Sequence, residues 1–140
     1  MKVQIKQWEL ELNIEQTQAF YASFPYNNED EFGLNYIEVC SFCTPEVLSF
    51  FQQLGIDPLK PTNLNYLPIE GDCIMYSGSY HVIGERLQGE LDEWDMAVES
   101  FCFSLTEYNF EYPQSLIEPA LEISFEVVLP WMLVEPFPVH

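Results

Sequence analysis

Basic residues are scarce in this chain of 140 residues, which has 4 Lys and Arg against 23 Asp and Glu and a formal net charge of -19 at pH 7. Affinity for DNA or RNA comes largely from Lys and Arg side chains that displace counterions from the phosphates. Basic segments also hold proteins on anionic membrane surfaces. We therefore expect no direct nucleic-acid partner and no membrane partner.

Long apolar runs are also missing. No stretch approaches the roughly 20 consecutive apolar residues that a membrane-spanning helix needs. The first residues alternate polar and apolar side chains, where a secretory signal would have a continuous apolar region. The sequence contains no internal repeat and no Gly/Ser-rich linker. We expect a soluble, cytoplasmic protein with one domain over residues 1–140.

Apolar residues make up 48% of the chain and aromatic residues 16%. Chains that are disordered because of their charge combine a high net charge with few bulky apolar residues, so this composition predicts a packed core. Burying a carboxylate without a counter-charge is costly, and few cations are present to pair with the acids. The carboxylates are therefore expected on the surface.

Hydrophobic patterning in the first third of the chain predicts strands and one short helix. Residues 2–12 look extended, with a bulge where the inward face switches. Residues 14–24 have helical spacing after Asn13, a suitable N-cap. An exposed acidic loop over residues 25–33 then precedes a strand over residues 34–42.

A second helix has clear end signals, because Thr44 can cap it, Pro45 suits its first position and Gly55 can end it. The chain after this helix contains a loop up to Gly71 and then mainly strands. The whole pattern predicts an α+β domain with a mostly antiparallel sheet of about five or six strands and two short helices. The later strands are a hairpin or one bent strand over residues 73–83, a central strand over 94–108, and a half-exposed strand over 121–129.

Four cysteines, Cys40, Cys43, Cys73 and Cys102, are expected to be reduced thiols, because a disulfide framework is typical of small secreted domains without a core. Two other interpretations remain open. The CxxC spacing of Cys40 and Cys43 before a helix is that of redox-active dithiols. A zinc site would need the same pair with Cys73, Cys102 or His81, and the second paired motif of such sites is absent. We expect no metal and no cofactor.

The sequence contains few residues or motifs that are typical of catalytic sites. His81 lies in a predicted strand and could act as a base with a carboxylate partner, but the sequence has no nucleophile elbow and no phosphate-cradling glycine pattern. We therefore predict that the protein is not an enzyme. The alternative is a small-ligand-binding or enzymatic α+β domain with a pocket near Tyr76, Tyr80, His81 and Trp94.

Acidic residues concentrate in two predicted loops, each flanked by aromatic residues. Neither loop has the residue order of a Ca²⁺-binding loop. They could be ordinary solvated faces, or they could recognise a basic protein, with acids steering association and aromatic side chains anchoring it. The predicted partner-binding residues are Glu29, Asp30 and Glu31 in the first loop and Glu90, Asp92, Glu93, Trp94 and Asp95 in the second.

One partner property, a strongly positive surface, would explain both the excess of acids and the scarcity of Lys and Arg. Nucleases and other nucleic-acid enzymes have such surfaces, and a protein that presents carboxylates where phosphates bind can inhibit them. The sequence-based hypothesis is a bacterial immunity protein that inhibits a basic, nuclease-type toxin domain by protein–protein interaction, with nucleic-acid mimicry as a related version.

Overall fold

The computed structural model describes residues 1–25, 30–107 and 119–133. These residues form an antiparallel sheet of seven strands with three helices, which confirms the predicted α+β class with one strand and one helix more than expected. Each described helix has ten residues, and none is long and apolar enough to cross a membrane. The strands are β1 (Lys2–Ile5), β2 (Trp8–Leu12), β3 (Asn63–Ile69), β4 (Cys73–Gln88), β5 (Met96–Val98), β6 (Phe101–Glu107) and β7 (Ala120–Pro130); the helices are α1 (Ile14–Ser23), α2 (Glu31–Cys40) and α3 (Pro45–Leu54).

The sheet is organised around β4, a strand of 16 residues. On one edge, β7 pairs with residues 73–83 of β4. The other edge is divided between β3, which pairs with residues 73–79, and β2, which pairs with residues 84–88. Beyond β7 the sheet continues through β6 to β5, and beyond β2 it continues to β1.

A short stretch of β4 lies between the ends of β2 and β3, and its backbone groups bond to two side chains of α1 and to the backbone of Asn13, the N-cap of α1. The Tyr21 hydroxyl donates to the His81 carbonyl (2.7 Å) and accepts from the His81 N–H (2.8 Å). The Ile83 N–H donates to Oγ1 of Thr17 (3.0 Å), and the Ile83 carbonyl accepts from the Asn13 N–H (2.9 Å). Helix α1 therefore completes this edge of the sheet.

Helices α2 and α3 cover one face of the sheet through aromatic side chains. Tyr36 of α2 stacks on Phe125 of β7 with 5.5 Å between the ring centroids. Phe50 of α3 stacks on Phe103 of β6 at 4.2 Å. All four rings are buried, and removing a side chain of this size from water contributes about 1.5–3 kcal/mol. This face is the core side of the sheet.

The capping signals in the sequence are confirmed. The Asn13 side chain accepts the backbone N–H of Gln16 (3.0 Å) at the start of α1. Thr44 accepts the N–H of Val47 (3.4 Å) at the start of α3. Gly55 follows α3 with a φ of 76°, a left-handed conformation that glycine adopts without steric cost.

Two predictions for the first third of the chain need correction. Residues 2–12 are extended in strands β1 and β2, but the predicted bulge is wrong: the two strands form a hairpin that turns at Lys6, whose φ is 50°. The predicted strand over residues 34–42 falls mostly within helix α2. Its buried aromatic and apolar side chains, Phe32, Tyr36 and Cys40, are four residues apart, which is the spacing of one helix face.

In the second half of the chain, the number and limits of the strands differ from the prediction. The predicted loop before Gly71 contains strand β3. The run after it is one long strand, and at Gly78 a Cβ would lie 2.0 Å from the Asn63 carbonyl oxygen, so close pairing with β3 requires glycine. The predicted central strand over residues 94–108 is a hairpin of β5 and β6 that turns at Glu99 (φ 54°). The half-exposed last strand is confirmed as β7.

We expect Tyr21→Phe to lower the free energy of unfolding by about 1–3 kcal/mol, because it leaves buried backbone groups of His81 without their partner. Urea denaturation followed by circular dichroism measures the change. Tyr66→Phe is the matched control, since the Tyr66 hydroxyl is exposed and bonds to Asp30. Equal losses in the two variants would contradict the role assigned to Tyr21.

Candidate functional site

The carboxylates lie on the surface, as the charge composition predicts. Every Asp and Glu in the described residues is exposed, except Glu9, Asp57 and Glu122, which are half-buried. Two exposed carboxylates, Glu11 and Glu85, lie directly opposite each other on β2 and β4, although Glu11 also contacts the amino group of Met1 at 3.2 Å. Like charges in directly opposed positions destabilise a sheet.

The few basic side chains mainly contact backbone carbonyls. Nζ of Lys6 donates to the Ala97 carbonyl (2.5 Å), and Nζ of Lys60 donates to the Tyr21 carbonyl (2.6 Å). The guanidinium of Arg86 donates to a backbone carbonyl as well, that of Gly89. Lys2 pairs with Glu9 at 3.3 Å. These cations therefore neutralise little of the surface charge.

The first predicted acidic loop is partly helical. Glu29 lies outside the described residues. Asp30 is the N-cap of α2: its side chain accepts the Phe32 N–H (2.8 Å) and also the Tyr66 hydroxyl (2.7 Å). Glu31 is exposed in the first turn of α2, where a negative charge is favourable near the positive end of the helix dipole. Asp30 and Glu31 therefore also stabilise the fold.

The second predicted acidic loop connects β4 to β5, and its acids and Trp94 are all exposed. It is held against the edge of β6, because the Asp92 N–H donates to the Leu105 carbonyl (2.8 Å) and the Asp92 carboxylate accepts the Thr106 hydroxyl (2.9 Å). The Asp95 carbonyl accepts from the Gln7 side chain (2.7 Å). The loop thus has a fixed path while its carboxylates face solvent.

The two loops lie at different edges of the sheet. Asp30 bonds to Tyr66 of β3, whereas Asp92 bonds to Thr106 of β6. Strands β4 and β7 separate β3 from β6, which corresponds to three inter-strand spacings of about 4.8 Å each. The structure therefore does not join the predicted partner-binding residues into one cluster.

A chain of hydrogen-bonded polar side chains lies on the sheet face opposite α2 and α3. Of its members, sequence analysis indicates only His81. Nδ1 of His81 lies 2.6 Å from Oγ1 of Thr62, and Nε2 lies 3.1 Å from Oε2 of Glu122. The Thr62 hydroxyl also donates to the Ser79 carbonyl (3.0 Å). The His81 hydrogen bond and charge lower the pKa of Glu122, against the effect of partial burial.

In this group of hydrogen-bonded side chains, Glu122 is the carboxylate partner that a catalytic His81 would need. The hydroxyl on its other side belongs to Thr62, which is only 5% exposed, and His81 itself is 1% exposed. The arrangement therefore acts as a polar connection between β4, β7 and the residue before β3. The sequence indicates His81 as a candidate site residue. Its partner Glu122 is 41 residues away, and only the register of β4 with β7 places the two side by side.

The four residues predicted for the alternative ligand pocket do not lie together in the structure. They are Tyr76, Tyr80, His81 and Trp94. Tyr76 and Tyr80 are fully buried on the core face, where their hydroxyls donate to the carbonyls of Phe32 and Pro58. The next residue after Tyr80, His81, points to the opposite face. Trp94 is 47% exposed in the loop beside β6.

All four cysteines are free thiols. No group of three or more metal-ligating side chains occurs among residues 1–25, 30–107 and 119–133, so the CxxC pair gains no third ligand there. Comparison of the chain with protein-family models, with curated proteins and with solved structures gives no match. Surface charge, side-chain exposure and contacts are therefore the features that bear on its function.

We expect Glu122→Gln to change the pH dependence of stability. A folded-state pKa below the unfolded value makes the carboxylate stabilising above about pH 4.3, and this contribution is lost as pH falls through the lower folded value. The stability difference between wild type and variant should thus be larger at neutral pH than near pH 3. Urea denaturation across this range measures it, and Glu126→Gln, at an exposed carboxylate of the same strand, is the control for loss of one charge. A difference that stays constant with pH would contradict the His81–Glu122 interaction.

Proposed function

We propose that this chain is an acidic binding protein that neutralises a basic protein partner, in the manner of a bacterial immunity protein that inhibits a nuclease-type toxin. The observation that supports the proposal most directly is the exposure of the carboxylates, none of which is buried in the described residues. With a net charge of -19, the protein creates a strongly negative field for any approaching molecule.

The scarcity of internal counter-charges strengthens this argument. Lys6, Lys60 and Arg86 donate to backbone carbonyls, so they leave the surrounding carboxylates available to an external cation. Opposed potentials on two proteins raise association rates by about 10- to 10³-fold. Fast capture suits an inhibitor that must act before a harmful enzyme reaches its substrate.

The loop between β4 and β5 is the surface that we propose contacts the partner. It combines exposed acids with Trp94, whose large side chain is 47% exposed, and aromatic anchors surrounded by polar groups are typical of binding hot spots. Its backbone is fixed by the bonds of Asp92 and Asp95, so little ordering of the chain is needed on binding. Its carboxylates would occupy positions that nucleic-acid phosphates take on the partner.

A binding assay against purified basic nuclease domains tests the proposal, beginning with any basic protein encoded next to this chain. We expect stoichiometric inhibition of nuclease activity by at least one of them. The association rate should fall by about 10-fold or more between about 0.01 M and about 1 M salt, as the screening length falls from about 30 Å to about 3 Å. Inhibition that is independent of salt, or no inhibition at all, would contradict the proposal.

A charge reversal in the loop locates the contact surface. The double variant Glu90→Lys and Glu93→Lys should slow association by at least about 10-fold, because it replaces attraction by repulsion at the contact. It avoids Asp92, whose carboxylate bonds to Thr106. Surface plasmon resonance at low salt measures the rate.

The matched control is Glu38→Lys with Glu46→Lys, which makes the same change of net charge at exposed positions of α2 and α3. Circular dichroism verifies that both variants fold. If the two double variants slow association equally, total charge and not the loop determines binding, and the site assignment is wrong.

A further inference from the structure

Cys40 and Cys43 are brought together at the turn between α2 and α3. Cys40 is the last residue of α2, and Cys43 directly precedes Thr44, the N-cap of α3. The Cys43 N–H donates to the Cys40 carbonyl (3.3 Å), which closes a tight turn. The side chains of Cys40 and Cys43 each shift the pKa of the other. The two sulfur atoms are therefore already neighbours in the reduced protein.

Both cysteines line a cavity of about 120 Å³ between α2, α3 and the β5–β6 turn. Its other walls are mainly apolar and include Phe101 and Leu129, and the acidic residue Glu99 also lines it. A small uncharged molecule fits this chemistry, whereas an anionic one is repelled by Glu99 and by the overall charge. Cys43 is half-buried and Cys40 is buried, so Cys43 is the more accessible of the two.

The two thiols differ in acidity. Interaction with the Cys40 thiol lowers the pKa of Cys43. Interaction with the Cys43 thiol, together with burial, raises the pKa of Cys40 far above its ordinary value. Reaction of a thiol requires its thiolate form. Cys43 therefore loses its proton first and is the attacking group, and Cys40 follows.

Cys40 is also connected to the core of the protein. Cys40 lies one helical turn after Tyr36 on the buried face of α2. The Tyr36 hydroxyl lies 2.5 Å from that of Tyr80, and Tyr80 donates to the Pro58 carbonyl (2.7 Å). Cys40 is therefore buried in the core at the end of α2, where its carbonyl accepts the N–H of Cys43. The geometry is thus suited to a second step in which Cys40 attacks a sulfur already bonded to Cys43.

We propose that Cys40 and Cys43 form a dithiol redox site that reduces small uncharged disulfides and is itself oxidised to a Cys40–Cys43 disulfide. In the first step the Cys43 thiolate attacks one sulfur of the small disulfide, an S–S bond forms to Cys43, and one thiolate leaves. In the second step Cys40 gives up its proton and attacks the Cys43 sulfur. The second small thiolate leaves, so one disulfide is consumed, one is formed, and two thiols are released.

The other two cysteines serve as internal controls. Cys73 and Cys102 are half-buried on different strands, and each thiol donates to a backbone carbonyl, that of Gly71 (3.5 Å) and that of Trp94 (3.6 Å). Like Cys43, both are partly accessible, yet neither shares the paired geometry of the α2–α3 turn. They should form only slow, lasting adducts with a small disulfide.

The test treats the full chain with hydroxyethyl disulfide near neutral pH and maps its products by mass spectrometry. We expect Cys43 to react on the order of 10-fold faster than Cys73 or Cys102, and the product to lack two hydrogens, with a bond between residues 40 and 43 and no adduct. Glutathione disulfide, which is anionic, should react more slowly. Adducts that form first at Cys73 or Cys102, or an adduct on Cys43 that is never resolved, would overturn the proposal.

Two variants separate the steps. Cys43→Ala should abolish the fast reaction, and because Cys43 is half-buried this change removes little from the core. Cys40→Ala should leave a stable mixed disulfide on Cys43, whereas Cys73→Ala and Cys102→Ala should react as the wild type does. Circular dichroism verifies folding, and the wild-type product map stands by itself if Cys40→Ala is unstable. A fast reaction retained in Cys43→Ala would refute the assignment of the attacking thiol.

Discussion

Backbone hydrogen bonding along β4 is the constraint on which the rest of the fold depends. A strand of 16 residues presents N–H and C=O groups on both edges, and buried groups of this kind must find partners. β7 satisfies one edge, while β2 and β3 share the other and leave a short interval between them. Tyr21 and Thr17 of α1 fill that interval with side-chain bonds. The position of α1 is therefore determined by the sheet and not only by apolar packing.

Sequence reasoning succeeded where the signal is local and failed where contacts distant in the chain decide. The ends of α1 and α3 follow from their caps, because a cap bonds within a few residues. The hydrophobic pattern does not indicate helix α2, because Leu34 is apolar yet 45% exposed, whereas Asn35 is polar yet fully buried. Asn35 is buried because it bonds to the Pro130 carbonyl and to the N–H of Met132, almost 100 residues away. No local pattern contains that information.

In the candidate site, too, composition and local patterns predict some features, and contacts distant in the chain decide the others. Exposure of the acids follows from counting charges, since four cations cannot neutralise so many buried carboxylates. The path of the acidic loop along β6, the capping role of Asp30 and the contact between His81 and Glu122 all depend on strand register, which one sequence does not specify. The CxxC spacing is visible in the sequence, but the sequence pattern predicts Cys40 in a strand and Cys43 in the link to a helix. In the structure the two cysteines lie at a turn between two helices.

The opposed carboxylates of Glu11 and Glu85 connect electrostatics to folding. Their mutual repulsion, and that of the whole acidic surface, is present in the compact chain and relaxes when the chain expands. The isolated protein is therefore less stable than its apolar core alone would make it. If a polycation bound the folded chain on this surface, it would reduce the repulsion between the carboxylates and raise the free energy of unfolding. The melting temperature would then rise with occupancy.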